Sequence, residues 1–146
     1  MQGRVEMDKL ETVPDDSRTR ICVIDDDDAV RQTICRILTN AGYAVVEARD
    51  GRIGLKAIEQ TRPAMVITDI VMPNREGIET IMEAKQRFAD IPILAISGGG
   101  RMEPDGFLDL AVKLGADDCL AKPFRPQELL AKVTTLLQPQ AARRCA

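Results

Sequence analysis

Five residues stand where chemistry could be done. Asp25 and Asp26 follow the apolar run Ile21-Cys22-Val23-Ile24, and Asp69 follows Ala64-Met65-Val66-Ile67-Thr68. Ser97 closes the run from Ile91 to Ile96, and Lys122 follows Cys119-Leu120-Ala121. If those runs lie side by side, three carboxylates, one hydroxyl and one ammonium meet at one edge. Carboxylates brought together repel, so one must take a proton, the loops must splay, or a cation must sit among them. A hard divalent ion with oxygen ligands suits that last role, and Mg²⁺ typically takes one or two carboxylates while keeping waters. Carboxylates, a metal, a hydroxyl and a lysine are what phosphoryl transfer needs. The cations and the hydroxyl offset charge on the transferred oxygens, and a carboxylate can serve as nucleophile. The chain has no histidine. Histidine metal sites, Ser-His-Asp triads and histidine bases are therefore excluded, which leaves Asp as the best nucleophile available.

Taken singly, each group has a plainer role. Asp25 to Asp28 could be a helix cap with solvated neighbours, Asp28 being the residue expected to cap. Asp69 could cap a loop, Ser97 is of a type common in loops, and Lys122 before Pro123 could be a surface lysine. Gly98-Gly99-Gly100 lacks the G-x-x-x-x-G-K-[ST] frame of a P-loop and reads as a mobile loop rather than a phosphate cradle. Joint placement is what favours a site: one polar group at each of four strand ends.

The elements that must position these groups are legible as alternating apolar runs and helical periodicity. Apolar runs predict strands at Ile21–Ile24, Ala44–Val46, Ala64–Thr68, Ile91–Ile96 and Cys119–Ala121. Val30, Ile34, Ile37, Leu38 and Ala41 recur at helical spacing before Gly42. A second helix is expected over Ile53–Gln60, weakened by Gly54 and stopped before Pro63. A third carries Ile78, Ile81, Met82 and Ala84-Lys85, a fourth spans about Gly106 to Leu114, and the last runs from Pro126 to Leu137. Strict strand–helix alternation predicts an α/β protein with a five-stranded parallel sheet and helices on both faces. In such sheets the working site lies at the carboxyl ends of the strands, near the switch in strand order.

Composition narrows the function classes. The chain of 146 residues has room for one domain, read as a flexible arm (1–19), a folded unit (20–137) and a tail (138–146). Aromatics make up 3% of the chain, so bases cannot be stacked on an aromatic platform. The net charge of −3 argues against direct DNA binding, which needs a basic face. No stretch approaches the ~20 apolar residues that span a bilayer, and the first twenty residues lack the apolar core of a secretory signal. A cytoplasmic protein without membrane partners is expected. Cys22, Cys35, Cys119 and Cys145 lie far apart without metal-ligand spacing and read as free thiols.

The segment from about Arg20 to Leu137 resembles the receiver domain of bacterial two-component response regulators, of the stand-alone, chemotaxis-regulator type. Ile21 to Asp26 looks like the family's opening strand with its acidic pair. Val66 to Gly77, with Asp69, Met72-Pro73 and Glu76-Gly77, looks like its phosphoacceptor segment, Ile96-Ser97-Gly98 like its switch position, and Lys122-Pro123-Phe124 like its lysine motif. The resemblance implies a doubly wound, flavodoxin-like sheet of strand order 2-1-3-4-5 with five helices. It implies that Asp69 is phosphorylated, and that Asp25, Asp26, Asp69 and the backbone carbonyl of Val71 hold Mg²⁺, with Mn²⁺ a possible substitute. Ser97 and Lys122 would contact the phosphoryl oxygens, and the Lys122-Pro123 bond would be cis.

The family usually places Tyr or Phe three residues before that lysine; here the position is Cys119. The loop from Gly98 to Gly106 is then the expected moving element, displaying Arg101, Met102 and Phe107. The implied function is a phosphoprotein that takes a phosphoryl group from a histidine kinase or histidine phosphotransfer protein. It would signal to a downstream protein or pass the group on, without being a turnover enzyme. Two rivals are a phosphorylation-independent adaptor and a Mg²⁺-dependent phosphatase with an aspartyl intermediate. The phosphatase class wants Asp-x-Asp followed by Thr or Val after its first strand, which Asp25-Asp26-Asp27-Asp28-Ala29 fits poorly.

Overall fold

The computed structural model describes residues 18–70, 76–97 and 115–138. Its elements in chain order are β1 (Arg20–Ile24), α1 (Asp28–Asn40), β2 (Ala44–Ala48), α2 (Gly51–Thr61), β3 (Met65–Asp69), α3 (Glu76–Arg87), β4 (Ile93–Ser97), β5 (Asp118–Ala121) and α4 (Pro126–Leu137). The helix expected near 106–114, the arm before residue 18 and the tail after 138 lie outside the described residues. All neighbouring strands pair in parallel in the order β2-β1-β3-β4-β5, the doubly wound order expected.

Period-two alternation divides the strands between two cores. Cys22, Ile24, Val66, Ile93 and Ala95 pack with Ile58, Ile81 and Phe88 from the α2–α3 side. Ile21, Val23, Met65, Ile67, Leu94 and Ile96 pack with Ile34, Leu38, Leu129 and Val133 from the α1–α4 side. The three central strands are buried on both faces, which is why they read as unbroken apolar runs rather than as alternation. Among the described residues no helix is long and apolar enough to cross a membrane.

Several boundaries differ from those expected, each for a local reason. Asp27, not Asp28, caps α1: its carboxylate accepts from the backbone N–H of Ala29 and Val30 at 2.9 and 3.2 Å. Asp28 is the first helical residue and pairs with Arg31 at 2.6 Å. α2 begins two residues earlier than its apolar pattern suggests, because the Asp50 carboxylate caps it through Ile53 N–H at 2.8 Å. β2 continues past its apolar run to Ala48, with Glu47 turned to the surface and met by Arg31. β4 starts at Ile93 rather than Ile91. The Ile91 N–H turns back to the Phe88 carbonyl at 3.0 Å, and Pro92 has no N–H to offer a ladder.

Candidate functional site

Strand register builds the site before any side chain is considered. Ile24 pairs with Thr68, and Asp69 with Ile96, so Asp25 and Asp69 leave the sheet side by side. Ser97 pairs with Ala121, and its carbonyl accepts the Lys122 N–H at 2.7 Å, which places Lys122 at the same edge. The chain runs from β1 outward to β2 and then returns to the other side of β1 for β3. The crevice between β1 and β3 is therefore the switch point of the sheet.

At this edge Asp25, Asp26 and Asp69 each present a carboxylate oxygen within 4.8 Å of the others. Asp25 and Asp69 are buried, whereas Asp26 is exposed. The Lys122 ammonium stands 3.5 Å from Asp69 Oδ2 and 3.6 Å from Asp25 Oδ2. Both distances exceed a well-formed hydrogen bond, so the lysine balances the two carboxylates without binding either tightly. Three carboxylates against one ammonium leave two formal negative charges. Asp25 Oδ1 accepts the Asp27 N–H at 2.9 Å, but Oδ2 is buried without a hydrogen-bond partner. A buried carboxylate oxygen with no hydrogen-bond donor, on a residue grouped with two further carboxylates, fits a hard divalent cation. Burial pushes the Asp25 carboxyl above its ordinary range, and the Asp69 charge pushes the same way. The Asp27 N–H and the Lys122 ammonium oppose both.

The sequence-predicted residues come together as expected at Asp25, Asp26, Asp69 and Lys122. Ser97 is fully buried as the last residue of β4. The Lys122-Pro123 peptide is cis. Val71, Gly98, Arg101, Met102 and Phe107 lie outside the described residues. Cys119 sits on β5 opposite Ala95, partly buried against the α2–α3 core. Cys22, Cys35 and Cys119 form no disulfide among the described residues, and Cys145 lies outside them.

Two contributors escaped the sequence reading. A Cβ on Gly77 would lie 2.4 Å from the Asp69 carbonyl oxygen and 2.6 Å from Ile70 Cα. α3 can therefore pack directly on the backbone of the central aspartate only with glycine there. Arg31, one turn into α1, donates from Nη1 to the Asp25 carbonyl at 2.8 Å. The Glu76-Gly77 pair was visible as a motif, but its steric cause was not. Arg31 gave no signal beyond a charged residue on a helix.

Comparison with known proteins agrees with this fold. The sequence model of the family described as "Response regulator receiver domain" matches residues 21–134. The response regulator MprA of Mycolicibacterium vanbaalenii is 41% identical over 120 residues, covering 82% of this chain and 50% of that protein. The chain thus spans about half the length of the curated relatives it matches. A CheY-like receiver domain protein from Methanospirillum hungatei superposes with a TM-score of 0.74 at 30% identity, covering 83% of this chain and 94% of that one. The chemotaxis protein CheY4 of Vibrio cholerae gives 0.74 at 28% identity, with 82% and 99% covered. The chain belongs to the receiver domain family of response regulators.

Proposed function

We propose that Asp69 accepts a phosphoryl group from a phosphohistidine on a kinase or phosphotransfer partner. One observation carries this reading: a buried aspartate at the sheet's switch point, flanked by two more carboxylates and faced by a lysine at 3.5 Å. A carboxylate oxygen of Asp69 attacks phosphorus; the O–P bond forms as the donor's N–P bond breaks, and the imidazole nitrogen leaves with the electron pair. Lys122 can follow its charge from the carboxylates onto the phosphoryl oxygens, since it is bound tightly to neither. Asp25, Asp26 and Asp69, with the carbonyl of Val71, would hold Mg²⁺ or Mn²⁺, which supplies positive charge to those oxygens. Ser97 would donate its hydroxyl to the phosphoryl group, a charge-assisted bond stronger than a neutral one.

The reaction is stoichiometric: one phosphoryl group in, later lost to water or passed on, and no turnover of added substrate. We read the output as contact with another protein or onward transfer, in the manner of a stand-alone regulator. The length of the natural gene product tests that mode: a product no longer than this chain would support it. A product twice as long would route the output through an appended domain.

The test of the central reading is incubation with acetyl phosphate and Mg²⁺, followed by intact mass. One phosphoryl group per chain, stable to acid and labile to base, is expected on the wild type and absent from Asp69→Asn. Asn keeps the shape but cannot form an acyl phosphate. Equal labelling of the variant would overturn the assignment. Repeated hydrolysis of a generic phosphatase substrate would favour the phosphatase reading instead.

A further inference from the structure

Arg31 is a charged residue whose side chain is only 12% exposed. Its guanidinium donates in three directions: Nη1 to the Asp25 carbonyl at 2.8 Å, Nη2 to Asp28 at 2.6 Å, and Nε to Glu47 on β2 at 3.1 Å. Asp28 and Glu47 are solvent-exposed, and ion pairs to exposed carboxylates contribute little stability. What those pairs do is fix the plane of the guanidinium. Nη1 is thereby aimed at the backbone carbonyl of Asp25, a buried site residue.

Asp25 is held from every other side as well. Its N–H donates to the Ala48 carbonyl at 3.1 Å, and its Oδ1 accepts the Asp27 N–H. With the carbonyl taken by Arg31, Oδ2 is left without a hydrogen-bond donor, the Lys122 ammonium standing 3.6 Å away, and Asp25 groups with Asp26 and Asp69. We propose that Arg31 is a positioning residue that fixes the Asp25–Asp28 loop and so sets the divalent-cation affinity of the site. This rests on the reading of Asp25, Asp26 and Asp69 as cation ligands. Lysine cannot replace it, because one ammonium on a flexible stem cannot satisfy three acceptors in a planar fork.

Charge and position pull in opposite directions here, which makes the sign of the effect decisive. Arg31 is a positive charge beside a cation site, so its removal by Coulomb's law alone tightens Mg²⁺ binding. Loss of positioning weakens it. Partners that orient a metal ligand characteristically change affinity by roughly 10- to 100-fold when removed.

The experiment is calorimetric titration of MgCl₂ into the full chain as wild type, Arg31→Ala, Arg31→Lys and Asp26→Ala, with thermal melts of each. Wild type should bind, Asp26→Ala should bind poorly, and both Arg31 variants should bind about tenfold or more weakly. Arg31→Ala binding as tightly as wild type or tighter overturns the proposal, as does Arg31→Lys at wild-type affinity. If Arg31→Ala melts below the titration temperature, Arg31→Lys, which keeps the charge and the helix, decides alone. A wild type that does not bind Mg²⁺, or an Asp26→Ala variant that binds unchanged, overturns the ligand reading itself and the proposal with it.

Discussion

Asp25 carries the electrostatic cost of the site. Its carboxyl is buried, and its protonation range is raised above the ordinary 3.8, first by burial and then by the neighbouring Asp69. A carboxyl whose folded value is raised binds its proton more firmly in the folded state. Stability therefore falls as pH rises from the ordinary value through the folded one, and the cost is full above that window. Asp25→Asn should raise the apo melting temperature at neutral pH by a few degrees, about 1 kcal/mol. The gain should vanish below pH 3.8, where the wild-type carboxyl is protonated too. Asn keeps an acceptor for the Asp27 N–H, so the cap side of the loop survives. Melting curves with and without Mg²⁺ check both halves: the variant gains apo stability and loses Mg²⁺-induced stabilisation. Elsewhere, burial pushes the Cys22 and Cys35 thiols up to about 12, which leaves them inert near neutral pH.

At the scale of elements, two helices approach the sheet more closely than any side chain allows. A Cβ at Gly77 would strike the backbone of Asp69 and Ile70, whose movement would displace Asp69 itself. A Cβ at Gly54 would lie 2.4 Å from Ile24 Cδ1, the far end of a fully buried side chain. Alanine improves helix propensity by about 1 kcal/mol over glycine, whereas overpacking costs roughly 1–3 kcal/mol. Gly77→Ala should therefore be the worse of the two, destabilising by about 2 kcal/mol or more and slowing labelling by acetyl phosphate. Gly54→Ala should cost less and leave the labelling rate near wild type. Chemical denaturation and labelling kinetics on the two variants check this pair. A Gly77→Ala protein with normal stability and rate would mean that α3 can retreat without disturbing Asp69.

At the scale of the molecule, the site edge adjoins a groove of about 450 Å³ between α1 and α4. Val30, Ile34, Ile37 and Phe124 give it apolar walls, and Thr33 and Lys122 lie along it. Lys122 belongs both to this groove and to the contact with Asp69, so a protein seated in the groove lies beside the residue that contacts Asp69. Thr33 is exposed, and its hydroxyl only returns to the Ala29 carbonyl of its own helix. Thr33→Arg should therefore leave the fold intact while obstructing the groove. Phosphotransfer from a protein phosphohistidine donor should slow by tenfold or more, an interface cost of about 1.4 kcal/mol or greater. Labelling by acetyl phosphate, which needs no protein docking, should be unchanged. Equal slowing with both donors would place the effect in the site rather than in the groove.

The sequence by itself determined the class of the fold and which polar groups gather at the carboxyl edge of the sheet. Apolar runs buried on both faces, alternating with helical periodicity, leave a parallel sheet as the solution, and Asp25, Asp69 and Lys122 each follow such a run directly. Those signals are local, because burial of a strand or helix face is written in the period of its own residues. Tertiary structure alone decided which aspartate caps α1, why Gly54 and Gly77 must lack a side chain, and that Arg31 reaches the Asp25 carbonyl. It also decided that Asp25 keeps one oxygen buried and unpartnered while Asp26, its neighbour in the same acidic run, faces solvent. Each of these depends on how close two elements come and on which atoms then meet, and no spacing along a single chain encodes that distance.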